Sequence, residues 1–356
     1  MTTPLILAVN PGSTSTKLAV YEGDAPRFTE TLRHDDATLA AFRDRPVLDQ
    51  TGLRLDAIRS ALDRHGVKPG DLQAAVGRGG LLRPLPGGTY AVSEAMLEDL
   101  RHARRGEHAS NLGAFLARAL VGPDGEAFIV DPVSVDEWDD GVRLSGLAGL
   151  DRECLSHALN TRAVARRHAA EVGVPFERLR LVVAHMGSGH SVSAHRDGRM
   201  VDVTNSREEG PFSTERAGSV PTVRLVRRVL QDGRSADEAE RMLFREGGLY
   251  SYLGTRDLRE VERRIDDGDR HATLVFEAMV YQLAKTVGAM AAVLDGRVDA
   301  VLLTGGMARS DRLVGALSDR VGWIAPVRVY PGEDELRALA EGALRVLAGA
   351  EPARRY

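Results

Sequence analysis

The chain has 356 residues, 43% hydrophobic and 28% charged, a length and composition that fit two packed domains and exclude a disordered chain. Its net charge of -4 leaves no basic excess to advertise a nucleic-acid partner. A lone cysteine, Cys154, rules out an internal disulfide or a Cys-rich metal site and favours a reducing compartment. The opening residues show no basic region ahead of an apolar one, and no run approaches the roughly 18 apolar residues of a membrane span. A cytoplasmic protein with neither leader nor membrane segment is expected.

In chain order, an apolar run at 5–9 breaks at Asn10-Pro11-Gly12-Ser13 and resumes at 18–21, which predicts a strand, a tight bend and an antiparallel strand. Apolar spacing close to 3.6 residues predicts helices over 93–104 and 109–120. A third is predicted over 155–172, with Gly173 as its terminating glycine. The strand–bend–strand pattern returns at 181–194 around His185-Met186-Gly187-Ser188-Gly189-His190. Gly12 aligns with Gly187 and Ser13 with Ser188 at a common offset of 175, which reads as an internal duplication. Residues 271–294 are apolar on most faces, as a buried helix would be. A strand at 298–303 runs into Thr304-Gly305-Gly306, and a last amphipathic helix spans 333–347. Strands and helices alternate throughout, so the fold class is α/β. Two domains follow from the repeat, 1–150 (completed by the C-terminal helix, 335–356) and 151–334, with a cleft expected between them.

Several segments carry chemistry. Asn10 to Lys17 gathers a carboxamide, hydroxyls, glycine and an ammonium in one hairpin, a set able to offer donors and a point charge to phosphate. Of 47 basic residues only Lys17, Lys68 and Lys285 are lysine, so the lysine in this loop stands out against a background of arginine. A second glycine and a following helix are missing, so this is not a Walker A loop. His185 ends a predicted strand among glycines, where an imidazole can donate to a transferring phosphoryl oxygen. His185, His190 and His195 do not share one face of a hairpin, which weakens a metal-site reading. Arg78 lies among glycines in Val76-Gly77-Arg78-Gly79-Gly80, suited to a carboxylate or phosphate. Asp131 ends the apolar run Ile129-Val130. The Gly305-Gly306 pair after a buried strand is a weak nucleotide-turn signal, and no dinucleotide fingerprint occurs.

Together these segments resemble the acetate and butyrate kinase family, on the two-lobed actin/hexokinase/Hsp70-type (ribonuclease H-like) fold. The resemblance runs over nearly the whole chain. It is carried by Asn10-x-Gly12-Ser13-Thr14-Ser15-x-Lys17, the Arg78 segment, Ile129 to Val133, the His185 turn, Glu215-Arg216-Ala217-Gly218-Ser219 and Thr304-Gly305-Gly306. Its wording is closer to butyrate than to acetate kinases, which would carry a histidine before the substrate arginine and valines after it.

The resemblance implies reversible, ATP-dependent phosphorylation of a short-chain carboxylate, butyrate, to an acyl phosphate, with Mg2+. Branched-chain acids or acetate are the alternatives, and an actin-like ATPase the reading from another class. By the same resemblance Arg78 would hold the substrate carboxylate. His185 and Arg216 would donate to the transferring phosphoryl group, and Asp131 would orient Arg78 or contact the metal sphere. Asn10, Ser13, Ser15, Lys17, Gly187, Gly305 and Gly306 would bind the nucleotide. Glu335 would be the magnesium-linked acid, in a register open between Glu333, Asp334 and Glu335. The small residues Gly79, Gly80 and Ala184 are expected to leave room for an acyl chain. Substrate and ATP/ADP are the expected partners, together with further copies of the chain.

Overall fold

The structure, a computed structural model, describes residues 3–43 and 45–356; Met1, Thr2 and Asp44 lie outside the described residues. The opening apolar run forms β1 (Leu5–Pro11), which returns antiparallel as β2 (Ser15–Glu22) and then β3 (Ala25–Arg33). β1 is buried along nearly its whole length, as a strand covered on both faces must be. β4 (Ala74–Arg78) and β6 (Glu126–Val130) add parallel to β1, and β5 (Thr89–Ala91) closes the sheet, in the order β3-β2-β1-β4-β6-β5.

The second sheet repeats this plan. β7 (Leu181–His185), β8 (Ser191–Arg196) and β9 (Arg199–Val203) form an antiparallel meander. β10 (Ala300–Gly305) and β11 (Val327–Pro331) add parallel to β7, in the order β11-β10-β7-β8-β9. Strands β1, β2, β3, β4 and β6 therefore match β7, β8, β9, β10 and β11 in order and direction. The offset of 175 residues makes Asn10 the counterpart of His185.

The described chain divides into two compact units, one running to Asp136 and including Asp334–Tyr356, the other Glu137–Glu333. In the first, Leu7, Val9, Leu18 and Val20 pack with Ile58 and Leu62 of the helix Thr51–Arg64 and with Leu112 and Leu116 of the helix Leu112–Leu120. The helix Glu335–Leu347 lies on β1, β4 and β6, and Thr89 Oγ1 donates to its Gly342 carbonyl at 3.1 Å. In the second, Val182, Ala184, Val192, Val301 and Leu303 pack with Val275, Met279 and Leu283 of the helix Arg270–Val293.

Local signals act as expected. Ser93 Oγ accepts from Met96 N at 3.3 Å at the start of the helix Glu94–Arg101. Gly173 ends the helix Ala158–Val172 with φ 67. Three expectations shift. The helix expected over 109–120 opens as a 3-10 turn, Ala109–Asn111, because His108 Nδ1 accepts from Ser110 N and tightens the first turn. The helix expected from 155 begins at Ala158, and His157 just before it turns towards His185 of β7 and Ser191 of β8. The helix expected to be buried on most faces is buried on one side only, with Leu274 64% and Tyr281 52% exposed.

A Cβ added at Gly77 would lie 2.0 Å from the Gly113 carbonyl oxygen, so β4 and the helix Leu112–Leu120 pack backbone against backbone. Gly77→Ala is expected to cost about 1–3 kcal/mol, seen as a lower urea midpoint. Gly52→Ala, at an exposed helical position with nothing within 4 Å of the new Cβ, should raise the midpoint by up to about 1 kcal/mol. Equal midpoints for the two variants would remove the contact from the account.

Candidate active site

In the first unit the parallel strands deliver polar residues at their carboxyl ends, where α/β sheets bind ligands. Arg78 is the last residue of β4, and its Nη1 lies 3.1 Å from Glu335 Oε1 and 3.3 Å from Oε2. Asn10, near the end of β1, also donates to Glu335 through Nδ2. Glu335 sits in the first turn of its helix, where the N-terminal dipole favours a negative charge. Lys17 pairs directly with Asn10 across the hairpin, which puts both side chains on one face of the sheet, and Lys17 is exposed. Ser13 is exposed and Ser15 half-buried in the bend between them. Asp131 is buried with φ 37, a left-handed conformation rare outside glycine, and its Oδ1 accepts from Gly88 N at 2.7 Å. Backbone strain of this kind concentrates at working sites.

The glycines beside Arg78 do not leave the room expected of them. A Cβ on Gly79 would meet Pro132 Cβ at 2.4 Å, and one on Gly80 would meet Asn111 Oδ1 at 2.5 Å. Both glycines are buried and make way for the protein's own chain. Ala184 likewise belongs to the core of the second unit. These positions give no acyl pocket.

In the second unit His185 ends β7 and is held on several sides. Asn160 Oδ1 lies 2.9 Å from Nδ1, placed to accept its proton. Glu333 Oε1 lies 3.1 Å from Nε2, and His157 stacks on the ring face at 3.9 Å between centroids. His157 is itself turned by Ser191 Oγ, 3.0 Å from its Nδ1. Of the three acids left open in register, Glu333 lies against His185, and Glu335 against Asn10 and Arg78. A Cβ on Gly189 would lie 2.5 Å from Arg216 Cζ, so the guanidinium rests flat on that glycine. Arg216 Nη1 donates to Ser206 Oγ, and burial pulls its pKa below the usual arginine value. No carboxylate bonds Arg216 among the described residues.

A cavity of about 600 Å³ opens beside these groups, lined by Gly187, Ser188, Thr214, Gly306, Met307 and Glu333 among others. Gly306 faces it; Gly305, with φ 93, is buried behind, its missing Cβ 2.3 Å from the Met186 carbonyl. The volume suits a nucleotide-sized ligand.

No group of three or more His, Cys, Asp and Glu side chains able to hold a metal ion occurs among the described residues. Mg2+ accompanying a polyphosphate needs only one or two protein carboxylates, because phosphates and water complete its octahedron. Glu335, with the Asn10 carboxamide beside it, fits that modest demand.

Sequence reasoning missed three residues. Asn160 and His157 stand at the start of a helix 25 residues or more upstream of His185 and share no motif with it. Arg54 is fully buried beneath the first hairpin and bonds Ser13, Ser15 and Thr16.

The architecture, two mixed sheets with helices on their faces, is shared with solved acetate and propionate kinases and, less closely, with a ROK family protein. Acetate kinase of Porphyromonas gingivalis superimposes with a TM-score of 0.78 at 19% identity, over 96% of this chain and 99% of its own. A propionate kinase of Francisella tularensis subsp. tularensis gives 0.70 at 16%, over 95% and 98%. A ROK family protein of Streptococcus pneumoniae gives 0.52 at 10%, over 98% and 100%. At these identities the likeness is one of fold. In sequence, residues 150–318, a little under half of the chain, match the Acetokinase family model. That segment lies within the second unit and contains His185, Gly187, Arg216, Gly305 and Gly306. Among the described residues no helix is long and apolar enough to cross a membrane.

His190, one strand turn from His185, is buried, and burial pushes its pKa down to about 3, with His185 and Arg216 adding to the shift. Between that value and the ordinary 6.5 the unfolded chain binds a proton that the folded protein refuses. Stability is therefore complete above pH 6.5 and falls as pH drops towards 3, by up to about 1.4 kcal/mol per unit. Urea midpoints near pH 6 and pH 5 should fall less steeply for His190→Gln than for the wild type. Parallel slopes would show that His190 accepts its proton in the fold.

Proposed function

We propose that the protein transfers the γ-phosphoryl group of ATP to a short-chain carboxylate, giving an acyl phosphate and ADP, reversibly. The observation that carries this reading is that Arg78, at the carboxyl end of a central strand, already engages a carboxylate, that of Glu335. The glutamate group has the charge and shape of the proposed substrate's reacting end. The Acetokinase match over 150–318 supports the same reaction class from the second unit.

A short fatty acid has a pKa of roughly 4–5, like a side-chain carboxyl, and is ionised at neutral pH, so no general base is needed. A carboxylate oxygen forms the new bond to the γ-phosphorus while the bond to the β–γ bridging oxygen breaks, and ADP leaves with that electron pair. Catalysis then consists of holding two anions together and stabilising charge on the equatorial oxygens. Arg78 holds the acid. His185 and Arg216 donate to the phosphoryl group, and the hold of Asn160 and His157 on His185 pre-sets its direction. Asn10, Ser13, Ser15 and Lys17 receive phosphates, while Gly187 and Gly306 line the nucleotide cavity, with Gly305 shaping the turn behind. Asp131, with its strained backbone, holds the strand end beside Arg78. Mg2+, when bound, neutralises phosphate charge; Glu335 and Asn10 are the residues to hold it. A cytoplasmic setting goes with this reading.

Among acids, butyrate is proposed on the wording around Arg78, where Gly77 stands in place of histidine. Acetate and propionate, named for the structurally similar kinases, and the branched acids are the alternatives that a substrate series separates. Mg-ATP-dependent acyl phosphate, trapped with hydroxylamine, is expected with butyrate. ADP released at the same rate without any acid would instead make the protein an actin-like ATPase.

Arg78→Ala should raise the KM for the acid by about tenfold or more, the loss of a charge-assisted contact, and leave the KM for ATP within about twofold. Equal changes in both constants would take Arg78 out of the substrate role.

A further inference from the structure

Arg54, on the helix Thr51–Arg64, is 0% exposed, yet no acid pairs with it among the described residues. Its donors are all used. Nε and Nη2 reach Gln50 Oε1 at 3.2 and 2.8 Å, and Nη1 reaches the Ser15 carbonyl at 3.1 Å and Thr16 Oγ1 at 2.9 Å. Nη2 also reaches the Ser13 carbonyl at 3.3 Å. Every acceptor is neutral, so the guanidinium is satisfied as a donor and uncompensated as a charge. Burial lowers its pKa only to about 10, so it stays charged at neutral pH. Buried charges are ordinarily paired, because an isolated one is costly to desolvate.

Its field is felt locally. His34, whose Nε2 lies 3.0 Å from Thr16 Oγ1, has its pKa lowered by burial and then by Arg54. Directly above the guanidinium the bend is open to ligand. Ser13 and Thr14 are exposed, and their amides donate to no protein acceptor among the described residues. The exposed ammonium of Lys17 stands at the base of the same hairpin.

We propose that Arg54 is a positioning residue for a phosphate group: it ties the bend's carbonyls inward, turns its amides and hydroxyls outward, and leaves a positive charge beneath them for the phosphate to compensate. Carbonyls drawn to one side of a bend leave N–H groups on the other, which is how an anion-binding nest is built. A staple alone would need the donors without the charge. The missing carboxylate is what separates the two roles. The ligand class, polyphosphate, is that of the proposed function, and the assignment rests on that reading only for the identity of the nucleotide.

The test uses the full chain and two charge states at one position. Binding of inorganic tripolyphosphate and of adenosine is measured by calorimetry for the wild type, Arg54→Lys and Arg54→Gln, with circular dichroism as the check on folding. Gln can still donate to the carbonyls but carries no charge; Lys keeps the charge with fewer bonds. The Gln variant should bind tripolyphosphate about tenfold or more weakly, the Lys variant within about threefold of wild type, and adenosine should be held equally by all three. Equal losses in Lys and Gln would reduce Arg54 to a staple, and wild-type binding by the Gln variant would overturn the assignment outright. Should the Gln variant be unfolded, the Lys variant decides, because native dichroism with a tenfold loss contradicts a role for the charge and retention upholds it. Acyl phosphate is assayed in parallel. Charge-dependent tripolyphosphate binding with no turnover would leave Arg54 standing and sink the kinase reading, whereas turnover with a charge-independent loop does the reverse.

Discussion

Arg78 stands where it does because of a backbone contact that no side chain could survive. A Cβ on Gly77 would lie 2.0 Å from the Gly113 carbonyl oxygen, and one on Gly113 would lie 2.0 Å from that of Arg78. The helix Leu112–Leu120 can therefore sit directly on the end of β4 and fix the direction in which the next side chain leaves the strand. The second unit has the same device at the equivalent strand. Gly305 ends β10 with φ 93, and the Met186 carbonyl occupies its Cβ position at 2.3 Å. In each unit the close approach falls at the carboxyl end of a central parallel strand, the place where an α/β sheet exposes its side chains to a ligand.

Much of this plan was legible because it rests on local rules. The two hairpins announce themselves as apolar runs around Gly-Ser bends, and the constant offset between Gly12 and Gly187 foretells that the second sheet repeats the first. Strand ends then locate Asn10, Arg78, Asp131 and His185. What stayed hidden depends on contacts distant in sequence. Asn160 reaches His185 only because the helix Ala158–Val172 packs beside β7. Arg54 was one arginine among many, and nothing in its neighbours tells that its guanidinium lies under residues 13–16. The glycines after Arg78 were misjudged for the same reason: a sequence shows that a side chain is missing, whereas Pro132 and Asn111 show what fills the gap. Helices with little burial, such as Thr222–Gln231, carry a strong amphipathic pattern and yet no buried residue, so pattern alone overstates packing.

The charges divide into two kinds. Many arginines sit in exposed pairs such as Arg228 with Asp232 at 2.7 Å, which contribute little to stability. Arg162 and Glu137, buried and 2.7 Å apart, neutralise one another within the second unit and serve its architecture. Arg54 and Arg216 differ from both groups. Arg54 is withdrawn from water fully and Arg216 in part, and each is bonded to neutral oxygens and without a bonded carboxylate among the described residues. On the proposed function each is a place, within its own unit, for an anion that the unit does not itself supply.

Arg78 shows the opposite economy. Its charge is matched by Glu335, so on the proposed function an acid that binds Arg78 exchanges one carboxylate for another. The loss of Glu335 offsets part of the charge-assisted contact, about 1.5–3 kcal/mol, and the rest remains as affinity for the acid. On that reading Arg78 contributes selection as well: a neutral acceptor such as a sugar hydroxyl cannot replace Glu335 without leaving a half-buried guanidinium unpaired. Glu335, once released, retains Asn10 as a neighbour and carries a free carboxylate at the N-terminus of its helix. Acid binding and the availability of that carboxylate to a phosphate-bound cation are then two sides of one exchange. By linkage, whatever draws Glu335 away from Arg78 favours the acid to the same degree.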